Sequence, residues 1–497
     1  MPADQILTAQ QMRAAEAALI ASGTSVDELM QRAGRGAAEW IWRISGGRAV
    51  TVLCGPGNNG GDGWVIAEAI RQRGGDVAVA MAAEPATPAA KTARGLYQGQ
   101  VLAADAVPSG EVLVDCLFGT GLTRPLSENH LALLQRLTTS HDKLVAVDLP
   151  SGIEADMGQP LGPDLPHCDL TIALGAWKFA HFLMPAAASM GALKLVDIGI
   201  DDIAGAAQVI ARPKFTPPGP QAHKYTRGLL GVVAGAMPGA ALLAAQAAQG
   251  AGAGYVKLLG WRSAGASILR QAQHSARAGL GLKLTMNPAQ AEPVEAPSVP
   301  ADLVIDALPL AETLLDKRLA ALLIGPGLGR DRAAREALAS ALGKQVPAVI
   351  DADALMLVAP ITLADRTSPL IATPHEGEMC ALERAFALDG AGSKASRAVA
   401  LAKISGMVVV AKGADSLVAA PDGRIALAHR ASSWLATAGT GDVLAGTIAS
   451  RLANGADPFE AACQGVWLHA EAARLCGPAF TAGQLAAMMR SAYAACL

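Results

Sequence analysis

What most constrains this chain is an alternation. Short β-branched or aliphatic runs are each followed by a helix-length stretch, and the pattern recurs almost to the end. In the first half the runs are AVTVLC (49–54), DVAVAMA (76–82), VLVDCL (112–117), LVAVDL (144–149), DLTIAL (169–174) and LKLVDI (193–198). In the second they are LLGVVAGA (229–236), GYVKLLG (254–260), LVIDAL (303–308), ALLIG (321–325), PAVID (347–351), LIAT (370–373) and MVVVAK (407–412). Near-continuous apolar strands separated by helices predict parallel sheets covered on both faces, a three-layer α/β/α arrangement. In such sheets ligands gather beyond the carboxyl ends of the strands, so the residues that end each run are the ones to read for chemistry.

The alternation is interrupted once. ARPKFTPPGPQ carries four prolines within residues 213–220, which cannot continue either element type. We place a first domain at 1–212, a Pro-rich linker at 213–221 and a second domain at 222–497, a division that 497 residues make natural. Two helices, capped by Thr8 and Ser25, precede the first sheet; a SLVAA-PDG-RIALA hairpin (416–428) and three helices close the second. The stretch from Trp261 to Pro300 supports no assignment.

Forty Lys+Arg against 43 Asp+Glu, with no basic block, argue against a nucleic-acid groove or a polybasic membrane surface and in favour of small molecules. The uncharged stretch between Arg227 and Lys257 holds Pro238, Gln246, Gln249 and several glycines, and reads as strand, turn and helix rather than as a membrane span. Seven scattered cysteines without a Cys-x-x-Cys pair predict reduced thiols, and the N-terminus shows no secretory pattern, so a cytoplasmic location is expected.

Chemistry concentrates at the strand ends. CGPGNNGGDGW (54–64) places backbone amides and a helix dipole where an anion can bind, and adds Asn58, Asn59 and Asp62 as side-chain oxygens. Asp115 before FGTGLTRP (118–125), Asp148 before PSG (150–152) and Lys178 in GAWK can converge on it. Asn59, Asp115 and Ser151 are hard oxygen donors suited to a monovalent cation, and Asp148 is a candidate acid/base. The alternative is that each Asp caps its own turn. In the second half, TAGTGDVLAG (437–446) presents a Gly-rich helix start with Asp442 placed to take a proton from a hydroxyl, which is kinase-like chemistry. VAKGADS (410–416) offers Lys412 to a nucleotide phosphate, and IGPGLGR (324–330) with VIDADAL (349–355) adds carboxylates for substrate or Mg²⁺. TPHEGEM (373–379) contributes His375, while HKYTRG (223–228) and MPGA (237–240) complete an expected ring of strand-edge segments.

Taken in order, NNGGD, DCLFGTGLTRP and DLPSG, then HKYTRG, MPGAALLAAQAAQGAGAGYV, IGPGLG, DADAL, TPHEGE, VAKG and ATAGTGDVLAG, resemble the bifunctional NAD(P)H-hydrate repair enzymes over nearly the whole chain. The resemblance implies a Rossmann-like epimerase domain followed by a ribokinase-like, ADP-dependent (S)-NAD(P)H-hydrate dehydratase domain. It implies that Asn58, Asn59, Gly60, Gly61, Asp62, the run Gly119, Thr120, Gly121, Leu122, Thr123, Arg124, Pro125, and Asp148 touch NADHX or NADPHX. K⁺ would be held by Asn59, Asp115 and Ser151. In the dehydratase it implies hydrate contacts from Ala240, Gly327, His375 and Asp442, and ADP contacts from Lys412, Gly413, Ala414, Asp415, Ser416 and Gly441. Mg²⁺ and a homo-oligomer are further expectations.

Four places depart from the family pattern. RASSWL (430–435) stands where Gly-Asn-Pro-Gly-Met is usual, Ser416 replaces Thr, Glu376 replaces Pro, and GAWKFAH (175–181) replaces Lys-Pro-Gly. Two other functions compete: a ribokinase-like small-molecule kinase that uses the second half alone, and a nucleotide sensor without catalysis.

Overall fold

The computed structural model describes residues 4–103, 106, 108–260, 303–306 and 308–497; the unassigned stretch 261–300 lies outside them. The chain forms two compact units, Met1–Val209 and Ile210–Leu497.

In the first unit seven parallel strands lie in the spatial order Gln100–Val101, Val77–Met81, Val50–Cys54, Gly110–Cys116, His141–Val147, Leu170–Leu174, Ala192–Val196. The aliphatic side chains of the four central strands, Val50–Cys54, Gly110–Cys116, His141–Val147 and Leu170–Leu174, are all buried, as expected for strands covered on both faces, while the edge strands are partly exposed. Strand order reverses between Val50–Cys54 and Gly110–Cys116, where Cys54 stands beside Cys116. A crevice must open there, because the crossover helices on either side leave in opposite directions. NNGGD and FGTGL follow these two strands directly.

Three very short strands lie apart from this sheet. Gln5–Leu7 pairs antiparallel with Ala207–Val209 and parallel with Trp177–Lys178. Sequence reading assigned helices alone to the first forty residues; the helices Ala9–Ala21 and Val26–Ser45 are present with their Thr8 and Ser25 caps, but a strand precedes them. Three residues are too few for periodicity to reveal, and this strand is fixed by its tertiary partners.

The second unit repeats the plan. Strands Val304–Ile305, Tyr255–Leu259, Leu229–Val233, Leu319–Ile324, Ala348–Ile350, Leu370–Ala372 and Val408–Ala411 are parallel, and the hairpin Leu417–Ala419/Ile425–Leu427 extends the edge antiparallel. Order reverses between Leu229–Val233 and Leu319–Ile324. Helix Thr440–Ala453 lies against the sheet and against Pro238–Gly250 so closely that a Cβ on Gly446 would stand 2.0 Å from the Ala244 carbonyl oxygen. No helix among the described residues is long and apolar enough to cross a membrane.

Candidate active sites

At the first unit's reversal point a cavity of about 700 Å³ opens. Asn58, Asn59 and Asp62 line it from the start of helix Asn58–Gln72, Gly119 to Arg124 from the loop after Gly110–Cys116, and Asp148 and Lys178 from farther along the sheet. The predicted set is thus largely brought together. Gly60 and Gly61 are not on the wall: a Cβ on Gly60 would stand 1.9 Å from the Gly55 carbonyl oxygen, so Gly60 is required by the turn itself. Pro125 is also off the wall.

Asp148 is fully engaged. Lys178 Nζ donates to its Oδ1 at 2.5 Å, while the Thr120 N–H (2.9 Å) and hydroxyl both donate to Oδ2. Its backbone is left-handed (φ 67°), a conformation uncommon outside glycine. Lys178 is only 1% exposed, and its ammonium also reaches the Leu174 carbonyl at 2.8 Å. Burial alone would raise the Asp148 carboxyl, but the Lys178 charge and the donated hydrogen bonds outweigh it and hold it below the usual range. His181, accepting from the Lys178 N–H and within 2.9 Å of the Asp148 carbonyl, is pushed down to about 4 by burial and so stays neutral.

Asp115 and Ser151 sit behind the cavity wall. The Ser151 hydroxyl donates to Asp115 Oδ1 (2.7 Å) and its N–H to Oδ2 (2.9 Å), and the Phe118 N–H donates to the Ser151 oxygen (2.9 Å). Asn59 is different: its side-chain amide nitrogen and oxygen are both buried without a hydrogen-bond partner. An orphaned buried amide at a cavity is a group that a ligand or ion completes.

In the second unit Lys412, at the end of its strand, donates to Asp351 Oδ1 at 2.7 Å and lies 3.7 Å from Glu378 Oε2. Thr373 donates to the same Asp351 oxygen at 2.7 Å. Helix Thr440–Ala453 begins beside this cluster: a Cβ on Gly441 would stand 3.6 Å from the Lys412 ammonium. Gly439 precedes it in a left-handed conformation (φ 89°), and no side chain caps the helix start. The Asp442 carboxyl makes no hydrogen bond or ion pair to the described residues. Burial first, then the Asp351 charge, raises its carboxyl to about 6 despite nearby Lys412. Behind it, His469 lies 2.9 Å from the Thr440 carbonyl and is kept neutral by burial, its pKa lowered to about 4.

The remaining predicted positions divide. Gly327 (φ 63°) touches the Met237 backbone, and the Ala240 N–H donates to the Met237 carbonyl, so MPGA and GPGLG meet. His375 caps helix Glu376–Ala385, its Nδ1 accepting from the Glu378 N–H with the ring side chain 61% exposed. Asp415 is tied to Lys394 at 2.5 Å, and the Ser416 hydroxyl closes on Gly413, so these two shape the turn after Lys412. Asp353 turns away to bind the Gly329 N–H and Arg330. HKYTRG precedes strand Leu229–Val233 and so lies at the amino end of the sheet, opposite MPGA; the expected ring of segments omits it. RASSWL forms a short turn whose Leu435 carbonyl accepts from the Thr440 hydroxyl, bracing it against the Gly-rich helix start.

The sequence also matches known proteins. A family model described as NAD(P)H-hydrate dehydratase matches residues 230–493, and one described as YjeF-related protein N-terminus matches 26–180. The bifunctional NAD(P)H-hydrate repair enzyme of Moorella thermoacetica is 35% identical over 92% of this chain and 90% of its own length. The chain belongs to the bifunctional NAD(P)H-hydrate repair enzyme family. The Mycobacterium tuberculosis relative is 33% identical over 91% of this chain and 89% of its own. A solved ADP/ATP-dependent NAD(P)H-hydrate dehydratase from Bacillus subtilis, co-crystallized with ATP/Mg²⁺, is 25% identical, with 57% of this chain and 95% of that one covered and a TM-score of 0.44.

Sequence reading missed Met12, Arg13 and Glu16, which line the first cavity of this family member, and Glu378, which approaches Lys412. Glu16 had a signal: it lies four residues after Met12 on a helix capped by Thr8, so the two share a face. Asp148 and Lys178 are both expected at this strand edge, but their direct ion pair has no local signal, because nothing in the sequence ties two residues thirty apart.

Proposed function

We propose that the first unit interconverts the R and S epimers of hydrated NADH and NADPH, and that the second dehydrates the S epimer with ADP as phosphoryl donor. The observation that carries this reading is Asp442, an unpaired carboxyl at an uncapped Gly-rich helix start beside Lys412, in a chain of this family. A hydroxyl on C6 of the reduced ring is a poor leaving group. Asp442 takes its proton as the oxygen attacks the terminal phosphoryl group of ADP, releasing AMP. The ring nitrogen's electron pair then expels phosphate as a C5 proton is lost, and the nicotinamide double bond is restored. Lys412, held by Asp351, presents its positive charge to the phosphates, while the helix amides face the transferring group. Asp351, whose Oδ1 is taken by Lys412 and Thr373, would offer its other carboxylate oxygen to Mg²⁺, a hard cation that would neutralise phosphate charge.

In the first unit, Asn58, Asn59, Asp62, Gly119 to Arg124 and Asp148 bind the hydrated nucleotide. Asn59, Asp115 and Ser151 fit K⁺: they are amide, carboxylate and hydroxyl oxygens, and the Asn59 amide has no protein partner. Bound there, K⁺ would fix the loop after Asp115 through Ser151 and Phe118.

Purified protein given mixed R and S NADH-hydrate, ADP and Mg²⁺ should restore absorbance at 340 nm almost completely. Recovery that stops when S is spent removes the epimerase assignment. No recovery with ADP or ATP removes the dehydratase assignment and leaves a kinase or a sensor.

A further inference from the structure

Helix Ala9–Ala21 lies ahead of residues 26–180, the part matched by the YjeF-related family model, yet Ala9, Met12, Arg13 and Glu16 form one side of the first unit's cavity. Two attachments hold it there. Leu7 stands opposite Lys178 in the parallel pairing of the short strands, and the Ala9 N–H donates to Asp156 Oδ1 at 2.7 Å. Met12 is 4% exposed, and Glu16 projects one turn later from the same face.

Three carboxyl groups therefore border one cavity, and they are not alike. Both oxygens of Asp148 are engaged by Lys178 and Thr120, so it has little capacity left to exchange a proton. The carboxyl groups of Glu16 and Asp62 make no hydrogen bond or ion pair to any described residue. Asp62 is 8% exposed. We propose that Glu16 and Asp62 are the proton-exchanging pair of the first unit, and that Lys178–Asp148 is a positioning ion pair; this rests on the hydrated nicotinamide nucleotide being the substrate. The hydroxyl on C6, adjacent to the ring nitrogen, makes that carbon a hemiaminal. One carboxylate takes the O–H proton as the C6–N1 bond breaks to an aldehyde, and the electron pair goes to N1, which takes a proton from the other carboxyl. Rotation about C5–C6 and the reverse steps close the ring on the opposite face, returning both protons.

The electrostatics agree. Burial, then the Asp148 charge, raises Glu16; burial, Asp148 and Glu16 together raise Asp62 well above the usual range. The other charged groups facing them are Arg13, Arg124 and Lys178.

The test follows consumption of pure R hydrate by full-length protein with ADP, above the uncatalysed rate, across pH. Glu16→Gln should lower it at least about 100-fold while consumption of S continues, Glu16→Asp should recover part of it, and Gln should abolish the acid limb of the pH profile. Asp62→Asn should lower it comparably. R consumption by Glu16→Gln within about twofold of the parent overturns the proposal, as does equal loss in Glu16→Asp with an unchanged pH profile, which would mark a packing role. If the parent itself consumes no R, the epimerase assignment falls, and the proposal falls with it.

Discussion

Each unit pairs a lysine with an aspartate near its strand ends, and a carboxylate inside such a pair differs from one left outside it. In the first, Lys178 is buried against Asp148 and the pair is closed by Thr120. In the second, Lys412 is taken by Asp351 and leaves Asp442 without a partner, its carboxyl raised to about 6. The lesson is that a carboxylate's chemistry is set by which neighbour claims the nearest cation. Asp148 is held ionised and still; Asp442 can accept a proton near neutral pH.

The largest expected effect sits on the unpaired side. Asp442→Asn should reduce NADH formation from the S hydrate by about 10²–10⁴-fold, the usual worth of a positioned base, as read by absorbance at 340 nm. Next comes the paired side. Lys178→Met leaves Asp148 buried without its cation and should destabilise the first unit by about 3–5 kcal/mol, measured by denaturant unfolding. If that variant unfolds like the parent, Asp148 is not the fixed group the comparison requires.

A smaller effect concerns pH. Asp442 acts as base only when ionised, so turnover of S hydrate should fall about tenfold per unit below pH 6 and level off above it. Because its folded value lies above the unfolded one, Asp442 stabilises the fold least once ionised, and that contribution is lost as pH rises towards and past 6. Asp442→Asn should therefore melt higher than the parent at pH 8 and close to it at pH 4.5. The smallest effect is at His375, which caps a helix: His375→Asn should change stability by less than about 0.5 kcal/mol in thermal melts, since asparagine caps equally well. A larger change in KM than in stability there would assign the exposed ring to substrate.

Much of this was legible beforehand, for a physical reason. Strands buried on both faces must be written in aliphatic residues, so AVTVLC or MVVVAK declare themselves, and the first sheet's polarity then sends NNGGD and DLPSG to its carboxyl edge. What local pattern cannot carry is pairing across the chain. Gln5–Leu7 is a strand only because Trp177–Lys178 and Ala207–Val209 flank it. The burial of Lys178 depends on Asp148, whereas the place of HKYTRG at the amino end of its strand follows from chain order alone, since it precedes LLGVVAGA. Asp415 and Ser416, expected to touch ADP, have side chains that also hold the turn after Lys412, which no local pattern shows.

The division of labour between the two carboxylates is tested most directly by Asp442→Asn supplied with pure S hydrate, ADP and Mg²⁺, with both epimers followed by chromatography. The account predicts that R appears at the parent's rate while NADH does not form, because the first unit works without the second's base. NADH formation at an undiminished rate, or a mixture that stays pure S, would contradict it.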